Sequence, residues 1–271
     1  MALSPAPVAH VADLQRLIIR DPGRPRVTWY GDDSERVELS GAVLHNWINK
    51  TVNLLVEEFD AAPGTRVLLD LPPHWRAIVW GLAVWRTGAT LVLLPDAPAS
   101  GAVEREEGAG QPALLDLAHD ADVVVTSRPM AWAGTRAPVV AVPLPALARR
   151  FDGDLPAGAI DAGSAVMTYG DQIGWVEEVD PDAIALEPGG VRHGALIAWG
   201  AEPGDDVAPG ARVLVQEGDA LRLLRRTLQF LTVDGSVVLV GAVISRLGTD
   251  NPRLARLIAT ERAGTVLPLE P

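Results

Sequence analysis

The chain has 271 residues, 48% of them apolar, and a formal net charge of −12. That length and apolar content suit a sizeable core, as one large domain or two lobes, and argue against disorder. The acidic balance disfavours nucleic acid and anionic membranes as partners, and the lack of cysteine removes disulfides, thiolate nucleophiles and cysteine metal sites.

Met1-Ala-Leu-Ser-Pro-Ala-Pro lacks the basic start and apolar run of a signal peptide, and no apolar run approaches the roughly 18 residues of a membrane span. A cytoplasmic protein without membrane insertion is expected. His10 to Arg20 places Val11, Leu14, Leu17 and Ile18 on one helical face. Arg26 to Tyr30 and Arg36 to Leu39 read as a strand hairpin around Gly31-Asp-Asp-Ser34. Ser40 caps a helix whose stripe includes Leu44, Trp47, Ile48, Val52, Leu55 and Phe59. Lys50, the only lysine, falls off that stripe and reads as a solvated surface residue. Any mechanism that needs a lysine must use it.

Pro63-Gly64 leads into a strand from Arg66 to Leu71, Pro72-Pro73 end it, and a helix from His74 to Arg86 closes at Gly88. Trp75, Trp80 and Trp85 fall on different sides of that helix, which reads as core packing on several sides in preference to an aromatic ligand cage. With the strand Ala89 to Leu94 it completes a parallel, right-handed βαβ unit. Gly108-Ala-Gly-Gln-Pro-Ala113 formally matches a dinucleotide fingerprint, but no strand precedes it and Pro112 interrupts it, so it is set aside. A helix from Ala113 to His119, strands from Asp122 to Thr126 and Pro138 to Val142, a short helix from Leu144 to Arg150 and a strand from Ala165 to Tyr169 follow. Asp171 to Asp182 is a polar connection.

Ile184 to Trp199 reads as a strand, the turn Glu187-Pro188-Gly189-Gly190, and a helix starting near Arg192. Strand, glycine turn and helix N-terminus is an arrangement that cradles phosphate, through free N–H groups and the positive helix end. This turn has no lysine, serine or threonine, so Gly189, Gly190, Arg192 and His193 mark a degenerate phosphate position. Glu187 is expected to repel phosphate there. His193 also reads as a simple cap of the turn. The five histidines include no i,i+4 pair, so no helical two-histidine metal site is encoded.

Pro209-Gly-Ala-Arg-Val-Leu echoes Pro63-Gly-Thr-Arg-Val-Leu. Each leads into a helix, a glycine and an apolar strand, the second set being Asp219 to Leu231 and Gly235 to Val240. This is either a repeated lobe or the general likeness of two βαβ units. A helix from Pro252 to Arg262 and a strand from Thr265 to Leu267 complete the pattern. The expected fold class is α/β, with layered, mainly parallel sheets flanked by helices.

Thr28-Trp-Tyr30, Val37-Glu-Leu-Ser40, Pro63-Gly-Thr-Arg-Val67 and Gly88-Ala-Thr-Leu-Val-Leu-Leu-Pro95 resemble, in order and spacing, the N-terminal region of the adenylate-forming enzymes. That superfamily holds acyl-CoA synthetases, luciferases and peptide-synthetase adenylation domains. Pro188-Gly-Gly-Val191 with His193-Gly-Ala-Leu196 resembles the end of its phosphate loop, and the chain is most similar to short AMP-synthetase-like proteins of unknown function. The resemblance implies two similar discontinuous lobes, about 60–200 and about 1–59 plus 205–271. In the family a run of Thr/Ser and Gly precedes a loop lysine. Here Ile184-Ala-Leu-Glu187 precedes, and Gly189 stands at the lysine's place. The family's Thr-Glu pair, its ribose-binding aspartate and its mobile C-terminal domain with the catalytic lysine find no counterpart before Pro271. A non-catalytic relative, a pseudoenzyme acting as a binding or scaffold protein, is therefore expected, with no catalytic residue, no metal, and neither ATP nor AMP as a cofactor. The alternatives are a binder of nucleotide, acyl-adenylate or CoA-thioester, and half of a ligase completed by a partner chain. A homodimer or stable partner is expected over apolar surface that the family's missing part would cover.

Overall fold

In the computed structural model, residues 8–94, 118–201, 207–248 and 250–268 are described. After α1 (Val11–Ile18), strands β1 (Pro25–Tyr30) and β2 (Arg36–Ser40) pair antiparallel. Ser40 then caps α2 (Gly41–Phe59), its hydroxyl accepting the Val43 N–H. β3 (Arg66–Asp70), α3 (Trp75–Thr87) and β4 (Thr90–Leu93) form the expected parallel unit. Trp75, Trp80 and Trp85 are all buried. The cause is the position of α3, which packs on β3 and β4 and also reaches β1. Gly88 ends it at φ 84°, a left-handed conformation that favours glycine.

β5 (Val123–Thr126), β6 (Val139–Ala141), β7 (Ile160–Asp161), β8 (Ile184–Glu187) and β9 (Val191–Arg192) extend this unit into a seven-stranded sheet of order β7-β6-β5-β3-β4-β8-β9. β10 (Arg212–Val215), β11 (Ser236–Val240) and β12 (Thr265–Leu267) join the first hairpin in a second sheet, β12-β10-β11-β1-β2. Between β10 and β11 runs α6 (Ala220–Thr232); α7 (Ala242–Ser245) and α8 (Pro252–Glu261) follow β11.

The echoed sequence is a repeated structural unit. β3 lies between β4 and β5, and β10 between β11 and β12. The Thr90 N–H donates to Thr65 O at 2.8 Å, and the Ser236 N–H to Ala211 O at 2.9 Å. On the other edge, Asp122 N–H donates to Arg66 O and Gly264 N–H to Arg212 O. The two helices, α3 and α6, meet where Gly81 faces Leu224; a Cβ at Gly81 would lie 2.7 Å from Leu224 Cδ2. Glycine at this position lets the two repeats approach.

Several expected elements differ. Ala165 to Tyr169 is not a strand. Asp161 accepts the Gly163 N–H and so caps α4 (Ala162–Ala165), which runs on into a 3₁₀ turn, Val166–Thr168. Leu144 to Arg150 is not a helix but turns, with the Ala148 N–H on Pro145 O and Leu147 exposed; Pro143 and Pro145 keep its start extended. Lys50 is not a solvated surface lysine. Its side chain is 17% exposed, and its ammonium sits on Tyr169 O and 2.9 Å from Asp171 Oδ1, tying α2 to the connection. Gly108 to Ala113, and most of the expected helix Ala113 to His119, lie outside the described residues. Among the described residues no helix is long and apolar enough to cross a membrane.

Candidate functional site

The central stretch is a hairpin. β8 pairs antiparallel with β9 through Ile184–Arg192 and Leu186–Val191, around a turn at Pro188, Gly189 and Gly190. Gly189 (φ 112°) and Gly190 (φ 61°) take conformations that glycine reaches without strain. The expected helix start near Arg192 is corrected: β9 intervenes, a 3₁₀ turn spans His193–Ala195, and α5 (Leu196–Gly200) has only five residues. The hairpin therefore does not itself lead into a helix N-terminus at the glycine turn.

The four marked residues separate along the hairpin. Gly189 and Gly190 are exposed at its tip, whereas Arg192 lies opposite Ile184, about 10 Å away at roughly 3.3 Å per residue. The Arg192 guanidinium donates to Asp182 O. His193 is buried beneath the end of α3, and burial holds its imidazole below the ordinary range despite bonds to the Gly88 and Ala89 backbone. Glu187 does not face the turn either. Its register with Val92 puts it on the outer sheet face, where Arg66 Nη1 meets Oε1 at 2.6 Å. The expected repulsion is thus largely neutralised at source.

The structure opens a larger cleft that the sequence reading missed. It has a volume of about 640 Å³ and lies at the C-terminal ends of β3, β4 and β5, against Pro188 and the start of α6. Leu69, Leu71, Leu93 and Leu221 give it apolar walls; Asp70, Ser127 and Arg128 supply one polar end. The chain leaves β3 toward β4 on one side and returns as β5 on the other, so the polar end sits at the sheet's switch point, a common ligand position in α/β folds. That rule, applied to the residues after β3 and β5, was the available signal.

Asp70 organises this end. Its carboxylate accepts Thr126 Oγ1 at 2.8 Å, Trp132 Nε1 at 2.7 Å, and Arg128 through Nε and Nη2 at 2.8 and 2.9 Å. Arg128, 41% exposed, presents the rest of its guanidinium to solvent. The result is a rigid, charge-compensated ledge beside apolar walls. It can hold a polar head group, and the Asp70 carboxylate itself is engaged by Thr126, Arg128 and Trp132. No group of three or more potential metal ligands gathers among the described residues.

These two sheets, the repeated unit and the cleft between them are the layered α/β fold of the N-terminal domain of adenylate-forming synthetases. Brucella canis acyl-CoA synthetase superposes with a TM-score of 0.68 at 18% identity, over 97% of this chain and 48% of that one. Acetoacetyl-CoA synthetase from Streptomyces lividans gives 0.66 at 17%, over 91% and 41%, and an amide bond synthetase from Marinactinospora thermotolerans 0.62 at 19%, over 94% and 48%. In sequence, a Mycobacterium tuberculosis (strain H37Rv) protein described as a TIGR03089 family protein is 37% identical over 174 residues. The match covers 64% of each chain, and this chain spans under half of the solved synthetases. No protein-family model matches it.

Proposed function

We propose that this chain is a non-catalytic relative of the adenylate-forming synthetases: a binding protein that takes an acyl-bearing ligand in the inter-sheet cleft without activating carboxylates. The observation that carries this reading is the β8–β9 hairpin. Adenylation must hold a triphosphate, neutralise charge on the α-phosphoryl group and align a carboxylate. The turn offers only backbone N–H groups, Arg192 is engaged at Asp182 O and Arg66 at Glu187, and Lys50 is tied to Tyr169 and Asp171. Apolar walls with an arginine at one end suit an aliphatic chain carrying a carboxylate or thioester. Calorimetry with ATP, a medium-chain carboxylate and its CoA thioester tests this. Saturable binding of an acyl ligand, weakened by Leu221→Asp, with no saturable ATP binding, is the expected result. ATP binding that survives Leu221→Asp and supports carboxylate-dependent pyrophosphate exchange would overturn it.

The same proposal includes a second copy or a stable partner. β12 is the outer strand of its sheet among the described residues, so one row of its backbone groups is available for pairing. Light scattering is expected to give a dimer, and a monodisperse monomer would count against that part. The cytoplasm is the compartment in which such a protein is proposed to act.

A further inference from the structure

We propose that a second pocket, at the opposite end of α3 from the cleft, binds a small oxyanion of the phosphate or polycarboxylate class. Its wall is built by Gln15 and Arg16 of α1, His45 and Asn49 of α2, Arg86 of α3, and Gln172. Its volume is about 260 Å³, far beyond the roughly 30 Å³ of one water. This site is independent of the cleft and of the reading given for it.

The neutral part of the wall is fixed by hydrogen bonds. Gln15 Nε2 donates to Asn49 Oδ1 at 3.0 Å, and Asn49 Nδ2 donates to Asp171 O at 2.8 Å. Asn49 Nδ2 also lies 3.0 Å from His45 Nε2. An amide nitrogen only donates, so Nε2 is the acceptor and the imidazole proton sits on Nδ1. That Nδ1 is buried and has no partner in the protein. Nδ1 is sealed from solvent, so it is not one of the groups that the pocket presents.

The charged part is unbalanced in one direction. Arg86 is half-buried, and among the described residues neither an ion pair nor a hydrogen bond engages its guanidinium. Burial and the nearby charge of Arg16 hold it below its ordinary range, and burial and Arg86 do the same to His45. Asp13 is the acid nearest in sequence to this wall; one of its oxygens accepts the Ala9 and His10 N–H groups and the other meets Arg16. The Asp171 carboxylate is turned to Lys50. Arg16 is thus matched by Asp13, while among the described residues Arg86 brings to the wall a cation with no acid paired to it, in a chain with 35 acidic residues against 23 basic ones. The C-terminal end of α3 favours one cation at Arg86. It does not account for the second arginine, Arg16, on the same wall. An oxyanion would pair with Arg86 and with the Arg16 N–H groups that Asp13 leaves open, since guanidinium groups match phosphate and carboxylate oxygens in pairs.

The test is a calorimetric and NMR titration of the full chain with inorganic phosphate, pyrophosphate and citrate. Saturable binding of at least one is expected, and the phosphate and citrate arms decide the class. Arg86→Gln is expected to weaken it about tenfold or more, and Arg16→Gln, an exposed position that leaves folding intact, by about several-fold. Arg128→Gln in the cleft should leave it unchanged. The proposal is overturned if none of the three anions saturates, if both folded arginine variants bind like wild type, or if Arg128→Gln is the variant that abolishes binding.

Discussion

Replacing Asp70 with alanine tests whether the polar end of the cleft is a buried structural ledge or a surface ion pair. Asp70 has a side-chain exposure of 10%, and both Thr126 and Trp132 are fully buried. The substitution leaves the Trp132 N–H and the Thr126 hydroxyl without their acceptor, at about 1–3 kcal/mol for each buried unsatisfied group. Arg128 is far more exposed and rehydrates, so its share is at most about 1 kcal/mol. Asp70→Ala should therefore destabilise the protein by about 2–7 kcal/mol, a large fraction of the roughly 5–15 kcal/mol typical of a folded protein. Arg128→Gln, which keeps the carboxylate for Thr126 and Trp132, should cost less than about 1 kcal/mol. Urea unfolding followed by tryptophan fluorescence measures both. Equal shifts in midpoint for the two variants, or a loss below about 1 kcal/mol for Asp70→Ala, would refute the reasoning.

Burial and the Arg76 cation hold His74, the N-cap of α3, at about 3 against an ordinary 6.5. Such a histidine is stable while neutral, so its contribution is full above about pH 6.5 and is lost as pH falls toward 3. His74→Asn keeps a capping acceptor without a titrating ring, so wild type should lose more unfolding free energy than the variant between about pH 7 and pH 4; parallel pH profiles would contradict this. Gly81→Val should destabilise by about 1–3 kcal/mol by overpacking against Leu224, and the cost should shrink in a Leu224→Ala background. Strict additivity of the two substitutions would show that the helices do not meet there. Lys50→Met should speed hydrogen exchange around residues 169–174 while changing global stability by less than about 1 kcal/mol; unchanged exchange would mean the tether carries nothing.

Where local pattern and tertiary demand agree, the sequence is legible. The 3.6-residue stripe of α2, the glycine after α3 and the apolar runs of β3, β4, β10 and β11 each point one way, and the structure follows them. The echo around Arg66 and Arg212 was visible as letters, but only the matched backbone bonds distinguish a repeat from coincidence. The failures are short segments. Ala165 to Tyr169 has alternating apolar residues over too few positions to separate a strand from a turn of helix, and the cap at Asp161 decides it. The glycine turn was misread because strand–turn–helix and strand–turn–strand begin alike; a two-residue β9 is below what periodicity detects. Glu187 looked repulsive because its partner, Arg66, is 121 positions away. The cleft is assembled from residues after β3, β4 and β5 and before α6, so no single stretch announces it.

The central claim is that this fold carries no adenylating chemistry at the hairpin, and carboxylate-dependent ATP–pyrophosphate exchange by the purified chain tests it most directly. Wild type, Gly189→Lys and Glu187→Thr/Gly189→Lys are all predicted to give background exchange, because one restored cation does not replace groups that act as a unit. Exchange above background by wild type, dependent on added carboxylate, would place an active site elsewhere in the chain and contradict the account.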